Sequence, residues 1–316
     1  MRVAALLLAA GLLCLTGGRA SAHAVKGDGP NAIAAAFGSV WVGMGNGDVI
    51  RIDARSGNEQ SRLEGGATEY VHAVVAAYGA VWALRGRLVR IDPSTHVARE
   101  VANIGSATAF VVRAGARALW VADDGSNEIV RIDPKTLRRV ARIRIPGRAW
   151  GVAAGGRAVV VLAVPHSGPV TGPGSARVLR RIDPRTNRLS PPLARLDCDV
   201  GMAVGAGAVW TFNECTGVLS RRDPQTFRVV RARKLRVPGQ TPAVGFGSVW
   251  LAGRNGALRL DPKSLRTVAA IPVRSLSVTT GNGAVWAFDP VRSTVRRIDP
   301  VANQVTGRPI RIRGSS

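Results

Sequence analysis

Apolar and polar positions in this chain alternate in short bursts, broken by glycine and proline, and the bursts recur in a fixed order. Residues 72–101 show one round. "HAVVAA" predicts a strand A, Tyr78-Gly79 a turn, "AVWAL" a strand B, Arg85-Gly86 a loop, "RLVRID" a strand C, Pro93-Ser94-Thr95 a second turn, and "HVAREV" a strand D. Alternation at a period of two, bounded by turn residues, belongs to half-buried strands and not to helices. The round returns along the whole chain. The middle of strand B carries Trp41, Trp82, Trp120, Val160, Trp210, Trp250 and Trp286, and the end of strand C carries Asp53, Asp92, Asp133, Asp183, Asp223, Asp261 and Asp299. Seven rounds with a spacing near 40 residues, each of four short strands, predict an all-β fold: a seven-bladed β-propeller of four-stranded antiparallel blades. One blade alone cannot bury both faces of its small sheet, whereas seven in a ring can. The tryptophans then belong between blades, and each aspartate caps the turn that follows it, with proline presetting φ at the next position.

The same phase sorts the loops. A–B and C–D turns fall on one face, and B–C loops and D-to-A connections on the other, which is the expected working face because loops on a rigid scaffold carry binding residues. The last round has its own strand D in "QVTGRPIRIR", so the C-terminus completes blade seven. "HAVKGD", residues 23–28, aligns with strand D of other rounds and competes for that edge or adds to it.

Residues 1–22 place one arginine before an apolar run over 3–15 and end in Ala20-Ser21-Ala22, which reads as a cleaved signal peptide, with Ala24 as a second cleavage point. The run is too short to span a bilayer, and no later stretch is longer, so residues 23–316 form one exported propeller domain without a membrane span. Lipidation at Cys14 is disfavoured because Leu13 stands where a small side chain is needed. Cys198 and Cys215 then remain, flanking strands A and B of blade five about the Gly205-Ala206-Gly207 turn, and they predict a disulfide on the working face. A metal site there would need further thiol or imidazole partners, and no histidine follows His166.

The formal charge of +24 becomes +22 without Arg2 and Arg19, nearly all of it arginine. This suits attraction to an anionic envelope polymer or another polyanion through arginines of the outer strands C and D. Spread through every round, it equally fits a compositional bias on a solvated coat.

One register breaks the repetition. At the start of strand A stand Asn31, His72, Thr108, Arg148, Val200, Gln240 and Leu276, and their variety is what an asymmetric ligand site at the channel mouth would need, or what drift at an unconstrained position leaves. Nine acids, Asp48, Glu69, Asp123, Asp124, Glu128, Asp197, Asp199, Glu214 and Asp289, fall in loops of the working face and suggest a less positive rim, although polar loops also simply tolerate acids. Asp123, Asp124 and Glu128 in "DDGSNE" form the densest set of oxygen donors for a divalent cation, without the alternate spacing of an EF-hand. His23, if it becomes the N-terminus, offers an amine and an imidazole to copper. Residues 163–177, "AVPHSGPVTGPGSAR", predict a flap or plain loop in blade four. No nucleophile elbow or phosphate loop is present, and no residue is assigned a catalytic role.

The "AVWVA"-like B strands and "RIDPKTLRRVARIRIPG", residues 131–147, resemble the YVTN-repeat and streptogramin (virginiamycin B) lyase-like propellers across essentially the whole chain after the signal peptide. The resemblance rests on framework positions and implies a seven-bladed, often exported ring, in families that include binding proteins and a magnesium-dependent lyase. That lyase uses a histidine base and acidic metal ligands at the channel mouth; here only His72 begins a strand A, and no lyase residue carries over. The reading is therefore a monomeric, cofactor-free exported recognition protein acting through Asn31, Glu69, His72, Thr108, Arg148 and Gln240. Its ligand would be an envelope component, saccharide, peptide or protein. The alternative is a metal-dependent lyase or hydrolase in which His72 works with Glu69 or the rim acids.

Overall fold

The computed structural model describes residues 29–66, 69–101, 104, 109–166, 174–198, 200–236, 241–253 and 255–314. Residues 1–22, expected to be a signal peptide, and "HAVKGD" with His23 lie outside them. The described residues form seven antiparallel four-stranded sheets, each of consecutive strands: blade 1 over 30–63, blade 2 over 73–101, blade 3 over 109–144, blade 4 over 148–197, blade 5 over 200–234, blade 6 over 243–271 and blade 7 over 277–311. Among them there is no helix, and so none long and apolar enough to cross a membrane. In blade 2 the strands run Ala73–Ala77, Ala80–Arg85, Arg87–Ile91 and Ala98–Val101, close to the expected segments. His96, expected to open strand D, instead turns the corner before it with φ 62°.

Seven apolar clusters fill the seven interfaces between neighbouring blades. In every blade but the fourth, the strand B tryptophan is buried against the next blade, Trp41 against blade 2 and Trp286 against blade 1, and its indole Nε1 donates to the carbonyl ending its own strand A, as Trp120 does to Gly115 at 3.0 Å. A buried indole thus keeps its one polar atom satisfied.

Strand C does not supply a uniform outer coat of arginines: Arg87 and Arg297 are exposed, whereas others are drawn between blades. An arginine stands two residues before each turn aspartate and opposite the strand B tryptophan or Val160: Arg51, Arg90, Arg131, Arg181, Arg221, Arg259 and Arg297. In blades 1, 3 and 6 the guanidinium lies 5.4, 5.3 and 5.4 Å from the centroid of the tryptophan ring. It then reaches the C–D turn of the next blade. Arg51 meets His96, Arg131 donates to the Pro184 carbonyl and Asn187 Oδ1 at 2.6 and 2.8 Å, and Arg259 meets the Pro300 carbonyl and Asn303 Oδ1. Where the corresponding turn residue is Leu137, Phe227 or Leu265, it packs into the interblade core instead. Strand D adds to the exposed coat, as in Val229–Lys234.

Among the described residues, blades 1 and 7 are each built from four consecutive strands of their own. Across the seam the Asn282 side chain accepts from Gly38 N–H at 3.1 Å and donates to the Ser39 carbonyl at 2.7 Å. Strand A of blade 1 passes so close to Gly281 that a Cβ there would strike the Ala35 carbonyl, which excludes any larger residue without a shift.

The seven turn aspartates are caps. Asp133 Oδ1 accepts the N–H groups of Lys135 and Thr136 at 2.7 and 2.9 Å, and the Asp133 carbonyl accepts from Leu137, whose φ is 60°. The cap therefore spans two N–H groups, and a left-handed residue completes the corner. Backbone N–H donors to the charged carboxylate hold all seven below their ordinary values. Carboxyls held low in the native state contribute stability that is complete about a pH unit above the unfolded value of about 4 and lost as pH falls through the native values. Thermal midpoints are accordingly expected to stay level down to about pH 5 and then to fall. Asp92→Asn with Asp133→Asn, which keeps an oxygen to accept the same N–H groups, should flatten that fall. An unchanged acid limb in the variant would assign acid unfolding to other carboxyls.

Candidate functional site

The strand A residues seven before each strand B tryptophan or Val160 are Ala34, Val75, Arg113, Ala153, Ala203, Ala243 and Thr279. Sheet register pairs each with that strand B residue. All seven line one cavity of about 350 Å³ enclosed by the innermost strands, within the size range of small-ligand sites. Six are small or apolar and one is a guanidinium. Arg113, on strand A of blade 3 (Ala109–Gly115), donates to the Val112 carbonyl at 2.9 Å, and burial pushes its pKa down. A planar fork of donors set among alanine and valine walls suits a carboxylate or phosphate, which it can hold with two parallel bonds. Thr241, Ser277, Thr279 and Thr280 add hydroxyls to the same wall.

Asn31 connects this cavity to the mouth. It lines the channel, and both its amide atoms are buried without a well-formed hydrogen bond. The Tyr70 hydroxyl is buried beside it, and burial pushes the phenol up to about 12, an effect the Asn31 amide eases. The Tyr70 ring meets the His72 imidazole with centroids 4.8 Å apart at 48°. His72 is fixed by its backbone N–H, which donates to the Leu84 carbonyl at 2.8 Å. Amide, phenol and imidazole thus stand together at the D-to-A connection between blades 1 and 2.

The remaining expected residues are scattered. Glu69 lies one residue before Tyr70, but its carboxylate pairs with Arg87 at 2.7 Å and Arg85 at 3.3 Å; burial raises its pKa, and the Arg87 and Gly66 hydrogen bonds and both arginine charges bring it below the usual value. Arg148 pairs with Asp124 and lies over the Trp150 ring, 5.4 Å from its centroid. Leu276 contributes its N–H to the Phe288 carbonyl at 2.9 Å and does not line the cavity. Thr108, Gln240 and the Val200 side chain lie outside the described residues, as do Asp199 and residues 167–173 of the blade-four insertion.

The rim acids are largely neutralised within the fold. Asp48 is buried; burial raises its pKa, but the Gly65 N–H, Arg62 and Asn46 outweigh that and hold it low. Asp289 is buried beside Arg274 at 3.2 Å. Asp123 caps its own turn through Gly125 N–H and the Ser126 hydroxyl, Asp124 belongs to Arg148, and Glu128 to Arg142 at 3.3 Å. These three donors do not converge. Among the described residues no three His, Cys, Asp or Glu side chains come together as a metal-binding group, so the donor set does not fit the magnesium that the lyase-like resemblance implies.

Cys198 and Cys215 are bonded, with Cα atoms 6.1 Å apart, and tie the D-to-A connection before blade 5 to its B–C loop. Arg113, Tyr70 and the channel hydroxyls were not among the expected residues. For Arg113 the signal was present in the chain: counting seven residues back from each tryptophan isolates it.

No family model matches the chain, and no curated protein matches it in sequence. Among solved structures it is similar to the computationally designed Ika8 protein, with a TM-score of 0.65 and 12% identity over 91% of this chain and 88% of that one. It is also similar to U3-55K, with a TM-score of 0.63 and 9% identity over 82% and 88%. These likenesses show the propeller fold alone.

The disulfide yields a direct expectation. It closes a loop with a sequence separation of 17 residues. A loop near that length is stabilised by about 3 kcal/mol in the chain-entropy account. Cys198→Ser with Cys215→Ser, or reduction of the native chain, should lower denaturant stability by about that amount. Identical unfolding with and without reductant would show that the bridge does not form.

Proposed function

We propose that this chain is an exported, monomeric propeller that works as a binding protein, taking an acidic, hydroxyl-bearing small ligand such as a sugar acid of the cell envelope into its central channel. The observation that carries the reading is Arg113, the one cation in a channel ring otherwise made of alanine, valine and threonine. Its guanidinium would hold the ligand's carboxylate or phosphate. Channel hydroxyls and the Asn31 amide would receive the ligand's hydroxyl groups, and the Tyr70–His72 pair would form the lip over which it enters. A bridge between cysteines suits an oxidising compartment, as the N-terminal segment does.

Thermal unfolding of the native chain with glucuronate and galacturonate, set against glucose and galactose, tests this. A ligand at a hundredfold its Kd adds about 2.7 kcal/mol to the native state. The acids should raise the midpoint and the neutral sugars should not. Arg113→Met should abolish the rise and Arg113→Lys should retain part of it. A rise that survives Arg113→Met, or no rise with either acid, would overturn the reading.

A further inference from the structure

Blade 4 departs from the other six at the position that shapes every interface. Val160 replaces the strand B tryptophan, and the tryptophan of this blade, Trp150, lies instead on strand A, where Arg148 and Arg177 stand 5.4 and 5.1 Å from its ring centroid. Strand A begins at the channel mouth and strand B begins at the opposite, A–B turn face. Both residues pack toward blade 5, so moving the indole from B to A shifts bulk toward the mouth and leaves the far end of the blade thin on that side.

Two hollows open there. One, of about 700 Å³, lies between blades 3 and 4, and the other, of about 460 Å³, between blades 4 and 5; they share Gly156, Arg157 and Arg181. Arg181 is the counterpart of the arginines that stack on tryptophan and reach the next turn. Here strand B offers no ring, and the next turn presents Phe227, which is buried with Val160 in the interblade core. Arg181 makes no ion pair among the described residues. Arg117, Arg157 and Arg185 surround it, exposed and equally without an ion pair among the described residues, while Arg131 is held by the blade-four turn. The one carboxylate on either lining, Asp183, is engaged by its own turn through the Arg185 N–H at 2.8 Å.

We propose that this cleft is an anion-binding site for a ligand with closely spaced phosphate or sulfate groups, separate from the channel and on the opposite face. Guanidinium forks bind such groups with paired, charge-assisted bonds, and a partly desolvated arginine such as Arg181 binds them better than one in open water. The general positive field of the protein would draw the ligand in, and the cleft would hold it.

Calorimetric titration of the native chain with tripolyphosphate and with long-chain polyphosphate, at about 0.15 M salt, tests the site. Arg157→Gln with Arg181→Gln should weaken binding about tenfold or more. Arg228→Gln with Arg266→Gln removes the same charge from exposed turn positions and should change it less than about twofold. Both variants should unfold at the wild-type midpoint without ligand. Equal losses in the two variants, or no binding by the wild-type chain, would overturn the proposal. Affinity independent of chain length would identify a soluble oligophosphate as the source, and affinity that rises with length a polymer.

Discussion

Each blade of this ring has two faces and no core of its own, so everything depends on how one sheet covers the next. The solution is repeated at the level of single side chains. A tryptophan on strand B buries its ring against the neighbouring blade while its N–H satisfies its own strand A. In blades 1, 3 and 6 an arginine opposite it in register covers the ring and binds the polar turn of the next blade. Where the turn residue is Leu or Phe, apolar burial takes over the same task. The two versions are alternatives in one place. Arginine supplies both an apolar stem and a donor fork, which lets a strongly cationic chain spend part of its charge inside its interfaces.

Such a framework leaves few places free to vary. The aspartate corners are held by backbone N–H groups, and the inner corners are crowded enough that Gly281 admits no side chain. The repeat varies at the channel ring, where the side chains face an open axis, and in blade 4, where the tryptophan stands on strand A while Val160 holds the strand B position. Arg113 lies in the first of these places and the Arg157–Arg181 cleft in the second. The two places, one inside the channel and one between blades, rest on different departures from the repeat.

The repeats made the architecture legible because side-chain burial in a propeller is local: each round contacts only its neighbours, and its strand pattern survives intact in sequence order. Blade count, strand segments, turn caps and the cysteine pair all follow from that. The candidate site was legible only in part. Asn31 and His72 were visible as variation at the start of strand A, and both stand at the mouth. Several of the acids that looked like a rim have arginine partners more than ten residues away, as Asp124 has Arg148, and such an ion pair leaves no periodic trace.

What the chain determined by itself was the periodic part: seven rounds, four strands in each, aspartate at the corner and tryptophan at the interface. These follow from backbone geometry and from the need to bury alternate side chains, both of which act over a few residues. What only the tertiary structure decided was the use of the charges. Whether an arginine stacks between blades, lines the channel as Arg113 does, or borders a cleft as Arg181 does depends on which rings and carboxylates stand within a few ångströms. That distance is set by the closure of the whole ring, and no local pattern encodes it.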